Sequence, residues 1–338
     1  MQLFSNRKNL LFICLLSLTQ IACAKKNNSI YGNLSADQDG AISSEIPNEE
    51  SSEFPNLPDT APQFPDELSS VEKKLTQDMH SGQTEKLSFL VVNAETQVVI
   101  RSYLATVPRR LASLTKITTA ISALRNVSGV NYDKVGNMLK TSNNGEASRY
   151  VRLAAKAIDN LVVTGGEYTA ASSCPMSTTK EIPAANSVLK WLTDQLPAVD
   201  WSDAVIRDGA GCDYGNHFSA LQTIHVLKLA SSYGKIFDGN SFEDLLSISG
   251  VEGTWKNFNT DSKGMIFAKT GTLAPNSNLA GYFYVKRNNK IYKYFFAIFV
   301  EKRVNIDSSA AARKFIEALV RNWIHQLSRE EMTLSISL

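Results

Sequence analysis

Ser113 and Lys116 stand three residues apart in the run Arg109-Arg110-Leu111-Ala112-Ser113-Leu114-Thr115-Lys116. On a helix, residues three apart share a face, so the spacing sets a hydroxyl beside an amine. Burial disfavours the charged form of a lysine, and a neutral amine next to Ser113 can take its proton and turn it into a nucleophile. A helix N-terminus at Ser113 adds positive potential where a carbonyl would react. This is the chemistry of covalent acyl transfer.

The pair alone says little. Ser5/Lys8, Ser70/Lys73, Ser177/Lys180, Ser187/Lys190 and Ser232/Lys235 have the same spacing and read as solvated helix or loop. Ser113 is set apart by the apolar stripe that follows it, Ile117, Ala120, Ile121 and Leu124, and by two downstream motifs. Ser142-Asn143-Asn144 offers a hydroxyl to relay a proton to a leaving amine, and an amide, Asn144, to hold a substrate amide. Lys269-Thr270-Gly271-Thr272 lies in an apolar strand-like run. Lys269 and Thr270 suit a carboxylate, and Gly271 lets a substrate backbone approach closely.

Other chemistry is poorly supported. His80, His217, His225 and His325 show no metal-ligand spacing, so no metal or cofactor is expected. Gly165-Gly166-Glu167 lacks the flanking Gly-Lys-Ser/Thr of a phosphate loop. Asp208 reads as a residue that fixes a loop. The net charge of +2 gives no concentrated basic face for nucleic acid.

The elements that must position these residues follow from the hydropathy pattern. Leu68, Val71 and Leu75 give Asp66–Met79 a helical spacing. Leu87 to Ile100 reads as two strands around a polar turn at residues 93–96. From Ser113 to about Lys235 the pattern is mostly helical. Three strands follow, Met265–Lys269, Leu279–Lys286 and Ile291–Val300, with Asn288 and Asn289 in the last turn. Phe315, Ile316, Leu319, Val320 and Ile324 line one face of a final helix. Strands at both ends of a helical block predict one mostly antiparallel sheet with helices on both faces, an α+β fold.

The first residues have the layout of a secretory signal: Arg7 and Lys8, the apolar run Leu10–Leu18, then small residues at Ala22, Cys23 and Ala24. Two cleavage readings compete. Cleavage before Cys23 makes a lipidated N-terminus that holds the protein on a membrane, although Gln20 stands where such signals usually carry Leu. Cleavage after Ala24 releases a soluble protein. Residues 24–65, rich in Asn, Ser, Asp, Glu and Pro, read as a disordered tether, and residues 66–328 as the folded domain. Beyond Cys14 and Cys23, the cysteines are Cys174 and Cys212. In an oxidising compartment they either pair or remain buried thiols.

Taken in order, Ser113-x-x-Lys116, Ser142-x-Asn144 and Lys269-Thr270-Gly271 match the motif set of penicillin-recognising serine enzymes. From about Glu67 to Gln326 the chain resembles the D-alanyl-D-alanine carboxypeptidase/endopeptidase family, the type-4, class C low-molecular-mass penicillin-binding proteins. Met138–Asn144, Arg207–Gly211 with Asn216, Gly250–Thr254 and Asn278–Tyr282 carry the resemblance beyond the motifs. It implies a DD-peptidase/β-lactamase-like fold, with a five-stranded sheet and a helical subdomain. It also implies that Ser113 is the acylated nucleophile, Lys116 its base and Ser142 the proton shuttle. Asn144, Lys269, Thr270, Gly271 and Thr272 would bind substrate, and the N–H groups of Ser113 and Thr272 would form an oxyanion hole. The implied substrates are peptidoglycan stem peptides in the cell envelope, and the implied inhibitors β-lactam antibiotics.

Two departures from that family stand out. Only Ile117–Thr141 separates the first two motifs, where members commonly carry large extra domains; a more open site favouring cross-linked peptide follows. Ala210, Cys212 and Asp213 stand where the family tends to have Ser, Leu and Ser. A serine β-lactamase would need a water-activating Glu between the second and third motifs. Glu146 and Glu167 lie there without the expected Glu-x-x-Leu-Asn setting. A wall-binding protein without turnover is the non-enzymatic alternative.

Overall fold

The computed structural model describes residues 66–164, 174, 179–233, 241–258, 262–274, 276–301 and 308–329. The signal segment, Cys23 and the tether at 24–65 lie outside them, as do Ser177 and Glu167. Among the described residues no helix is long and apolar enough to cross a membrane.

The chain begins with α1 (Ser70–Met79), β1 (Leu87–Asn93), β2 (Val99–Tyr103) and the short β3 (Arg109–Arg110). Four helices follow: α2 (Thr115–Asn126), α3 (Tyr132–Thr141), α4 (Asn144–Asp159) and α5 (Ile182–Gln195). Then come β4 (His217–Phe218), α6 (Ala220–Ser232), β5 (Ser247–Ile248), β6 (Ile266–Leu273), β7 (Asn276–Arg287), β8 (Lys290–Glu301) and α7 (Ser309–Ser328). The first helix starts later than its apolar spacing predicts. Ser69 caps it, accepting from the Glu72 N–H while the Glu72 carboxylate returns to the Ser69 N–H, a reciprocal capping box that sets the boundary.

One sheet runs in the order β2-β1-β8-β7-β6-β5, and every ladder in it is antiparallel. The five-stranded expectation is one strand short. The sixth, β5, is two residues long, too brief to leave an alternation in the sequence. The same holds for the β3–β4 ribbon, which pairs Arg109 with Phe218.

Apolar side chains leave both faces of the central strands, which explains their continuous hydrophobic runs. Phe296, Ile298 and Val300 of β8 join Phe89 and Val91 of β1 in a core under α7, with Phe315, Leu319 and Trp323. Phe295, Ala297 and Phe299, with Leu90 and Val92, face α2 and α6 through Ile117, Ile121 and Leu227. The helical subdomain leans on small residues: Ala154 and Ala155 of α4 meet Ala184 and Val188 of α5, so the helix axes approach closely. The region between the first two motifs is only the body of α2, a short connection and α3.

Candidate active site

Ser113 lies in a single 3₁₀ turn, Ala112–Leu114, that feeds directly into α2. The turn is entered through Ala112 at φ +49°, a left-handed conformation that costs an alanine about 1 kcal/mol or more. Neighbouring backbone leaves little alternative. Asn278 of β7 donates to the Arg110 and Leu111 carbonyls at 2.7 and 3.1 Å, and the Leu111 N–H donates to the Asn216 carbonyl at 2.9 Å.

Lys116, on the first turn of α2, is fully buried. Its Nζ lies 3.0 Å from Ser113 Oγ and donates to Asn144 Oδ1 at 2.7 Å and to the Ala210 carbonyl. Burial pushes its pKa down to about 7, against the opposing pull of Asp208. The contrast with Lys190, which shares the Ser-x-x-Lys spacing, is plain: its side chain is 68% exposed and pairs with Asp194.

Ser142 is the C-cap of α3 and is itself left-handed, at φ +60°. The reversal lets α4 begin at Asn144, with Asn143 as its N-cap accepting from the Glu146 N–H. The second motif is therefore a helix-to-helix corner. Lys269 of β6 reaches it: its Nζ donates to Ser142 Oγ at 3.0 Å and to the Thr270 carbonyl at 2.8 Å. Lys269 is also fully buried. Burial first, and then the nearby charge of Lys116, hold its pKa well below the ordinary lysine range. The structure thus joins Ser113, Lys116 and Asn144 by hydrogen bonds, and Ser142 with Lys269, and sets the two lysines close enough to feel each other's charge.

The structure adds to two predicted details. Asn144, expected to hold a substrate amide, also offers its Oδ1 as an acceptor to Lys116. Gly271 was expected to make room for substrate; a Cβ there would instead sit 2.7 Å from the Leu111 carbonyl oxygen and 3.2 Å from Leu114 Cγ. The glycine lets β6 press against the turn that carries Ser113. Thr270 turns its hydroxyl to Thr254 Oγ1 at 2.9 Å, and Thr254 in turn approaches Ser247 Oγ at 3.2 Å. β5 pairs with Phe267 and Ala268 only, so the β6 edge from Lys269 to Leu273 has no ladder partner on that side among the described strands. Thr272 on it is exposed.

Motif reading missed the support behind Lys116. Asp208 accepts from the Gly211, Cys212 and Asp213 N–H groups and from Asn216 Nδ2. This folds residues 208–216 so that the Ala210 carbonyl meets Lys116. Glu181, buried, accepts from Ser148 and from the Gly209 N–H, and Thr119 donates to the Gly209 carbonyl at 2.8 Å. Burial raises the pKa of both acids. The Arg207–Gly211 segment was legible as a feature, but Glu181 has no motif around it. Cys174 and Cys212 are joined in a disulfide, with Cα atoms 5.5 Å apart. Glu146 sits in the first turn of α4 beside Arg149. Among the described residues no cluster of three or more His, Cys, Asp or Glu could hold a metal; His80 stacks on Phe315 and His217 contacts the Gly215 carbonyl.

A family model described as D-Ala-D-Ala carboxypeptidase 3 (S13) family matches residues 132–323, more than half of the chain. The match holds the second and third motifs and begins after Ser113 and Lys116. No curated protein matches in sequence. Among solved structures, penicillin binding protein 4 from Haemophilus influenzae is 20% identical over 57% of this chain and 39% of its own, at a TM-score of 0.43. This chain therefore spans about two-fifths of that relative's length. A penicillin G-acylated predatory endopeptidase from Bdellovibrio bacteriovorus, in complex with an immunity protein, is 14% identical over 71% of this chain and 92% of its own, at 0.47. A β-lactamase from Chitinophaga pinensis is 11% identical over 77% of this chain and 100% of its own, at 0.46.

Proposed function

The chain belongs to the D-Ala-D-Ala carboxypeptidase 3 (S13) family, and from that premise we propose that it is a serine peptidase that cleaves D-Ala peptide bonds of peptidoglycan through an acyl-enzyme on Ser113. The observation that carries this reading is the setting of Lys116. An amine with a pKa of about 7, 3.0 Å from a serine hydroxyl, is neutral in about half of the molecules near pH 7 and within reach of the proton it must remove.

In the first step Lys116 Nζ takes the proton of Ser113, and Oγ bonds to the carbonyl carbon of the penultimate D-Ala. The carbonyl electron pair moves onto oxygen, which the N–H groups of Ser113 and Thr272 would receive; in general such a donor contributes ~3 kcal/mol. The tetrahedral species collapses as the C–N bond breaks, and the leaving amine takes a proton through Ser142, supported by Lys269. The acyl ester on Ser113 is then hydrolysed by water, and the serine hydroxyl is restored. Thr270, steadied by Thr254, and Lys269 would receive the carboxylate of the leaving D-amino acid. The unpartnered β6 edge suits an extended substrate, which can add to it as a strand. β-Lactams would acylate Ser113 in the same way and act as inhibitors.

The short path between the first two motifs supports a cleft open to cross-linked peptide, hence endopeptidase action beside or instead of terminal trimming. The protein would work in the cell envelope, held there by lipid at Cys23 if the signal is cut before that residue. The test uses a pentapeptide monomer, a cross-linked dimer and the Ser113→Ala variant. Conversion of dimer to monomer by the wild type alone supports the endopeptidase reading. Release of only terminal D-Ala leaves a carboxypeptidase and removes the open-cleft argument. No turnover of either substrate sinks the peptidase assignment.

A further inference from the structure

The Cys174–Cys212 disulfide touches the site from two sides. Lys116 Nζ has two acceptors besides Ser113: the Ala210 carbonyl and Asn144 Oδ1. Ala210 is two residues from Cys212, with only Gly211 between them. A Cβ on Gly211 would run into the Ala112 carbonyl and come within 2.9 Å of the Ser113 nitrogen, so this stretch is pressed directly on the nucleophile turn. The Cys212 N–H donates to Asp208 Oδ1 at 3.2 Å. On the other side, Cys174 Sγ lies 3.9 Å from Asn144 Nδ2. One sulfur thus anchors the loop that carries the first acceptor, and the other lies against the amide that supplies the second.

Building on the peptidase reading, we propose that this disulfide is a positioning element of the reaction: it clamps the Ala210 carbonyl and the Asn144 amide on Lys116, so that acylation of Ser113 depends on the bond being closed. The loop is folded on itself by Asp208 and held at Gly209 by the buried Glu181 and Thr119. At Cys212 the disulfide ties it to Cys174, 38 residues earlier in the chain. Opening that tie frees this part of the loop and admits water to Nζ. The charged groups that face Lys116 are Asp208 and Lys269. Burial, not either of these, is the main force that keeps Lys116 near 7, so hydration moves it back towards the ordinary lysine range.

The opening reaction is thiol–disulfide exchange with a dithiol. A thiolate of the reductant attacks one sulfur and forms a mixed disulfide, releasing the other protein sulfur as a thiolate. The second reductant thiolate then displaces the first cysteine. Two electrons pass to the protein, which gains two thiols after protonation, and the reductant leaves as its own disulfide. In an oxidising compartment the bond stays closed, so the enzyme would be competent only after export.

The experiment measures the second-order rate of acylation by a fluorescent penicillin from pH 5 to 9. It compares oxidised wild type, wild type reduced with dithiothreitol, and the Cys174→Ser and Cys212→Ser variants, with a cooperative melt recorded for each. The expected result is a folded reduced protein acylated at least tenfold more slowly at pH 7, with the acid limb displaced upward and the closed rate restored by reoxidation. Equal rates and equal limbs in the folded reduced and oxidised forms overturn the proposal and leave the disulfide a purely structural tie. If a serine variant does not fold, reduction of the folded wild type alone decides between these outcomes. Absence of acylation in the oxidised wild type would instead sink the peptidase reading, so the two failures are distinct.

Discussion

Lys269 Nζ lies 3.0 Å from Ser142 Oγ across a sequence separation of 127 residues. The lysine comes from β6 and the serine from a helix corner, and the contact joins sheet and helical subdomain at the reactive centre. Ser142 reaches it in a left-handed conformation, where glycine is the residue at ease and any side chain is strained.

That strain is separable from the chemistry. Ser142→Gly and Ser142→Ala both remove the hydroxyl, but only alanine keeps a Cβ in the left-handed region. The glycine variant is expected to be the more stable of the two by about 1 kcal/mol, while both lose at least tenfold in acylation rate. Thermal unfolding compared with penicillin labelling checks this. Equal stabilities would mean that the corner relaxes when the hydroxyl is gone.

The rate of acylation should follow the neutral fraction of Lys116. With a pKa of about 7, the rate rises with pH through neutrality and levels off above about pH 8. At pH 6 it falls to about a tenth of the plateau, one unit being one decade. A limb near the ordinary lysine value would show that the amine is hydrated and acts by another route.

Asp208 tests the electrostatic half of that value. Its charge is what raises Lys116 against burial. Asp208→Asn is therefore expected to move the acid limb below about pH 7. The amide also replaces an acceptor of the Asp213 N–H with a donor, a mismatch worth roughly 1–3 kcal/mol of stability. A limb that stays in place while the melting temperature drops would mean that Asp208 only shapes the loop.

Two glycines make opposite demands on their neighbours. Gly211→Ala combines φ +80° with a direct clash on the Ala112 carbonyl, and is expected to cost roughly 3 kcal/mol and most of the activity. Gly271→Ala has no positive φ to strain it, and must displace the Leu111 carbonyl, 2.7 Å away, and crowd Leu114 Cγ at 3.2 Å. It should remain folded but acylate more slowly, because the displaced turn carries Ser113. If Gly271→Ala labels at the wild-type rate, β6 does not set the nucleophile turn.

Much of this was legible in the chain itself. Residue type together with the order of the three motifs singles out Ser113, Lys116, Ser142 and Lys269 as candidates, because the Ser-x-x-Lys spacing by itself recurs five more times in the chain. The strands within Leu87 to Ile100 and at Ile291–Val300 were legible from their β-branched and aromatic residues, which suit a pleated surface. What depends on distant partners was not legible. The two-residue β5 exists only because β6 offers it an edge. That Asn144 also accepts from Lys116 is seen only once α2 and α4 are packed together. Gly271 looks like space for a ligand until Leu111 is found filling that space.

The sequence by itself determined the chemical groups, their order and the helix and strand that bear them, since these rest on local spacing and side-chain chemistry. Only the tertiary structure decided how far the lysines are buried, and so where they titrate: desolvation is a property of the whole packed environment. The same packing decided that Glu181 and the Cys174–Cys212 pair stand behind the site. No local pattern links residues 174, 181 and 208–213; they meet because α4, α5 and the nucleophile turn close around one buried amine.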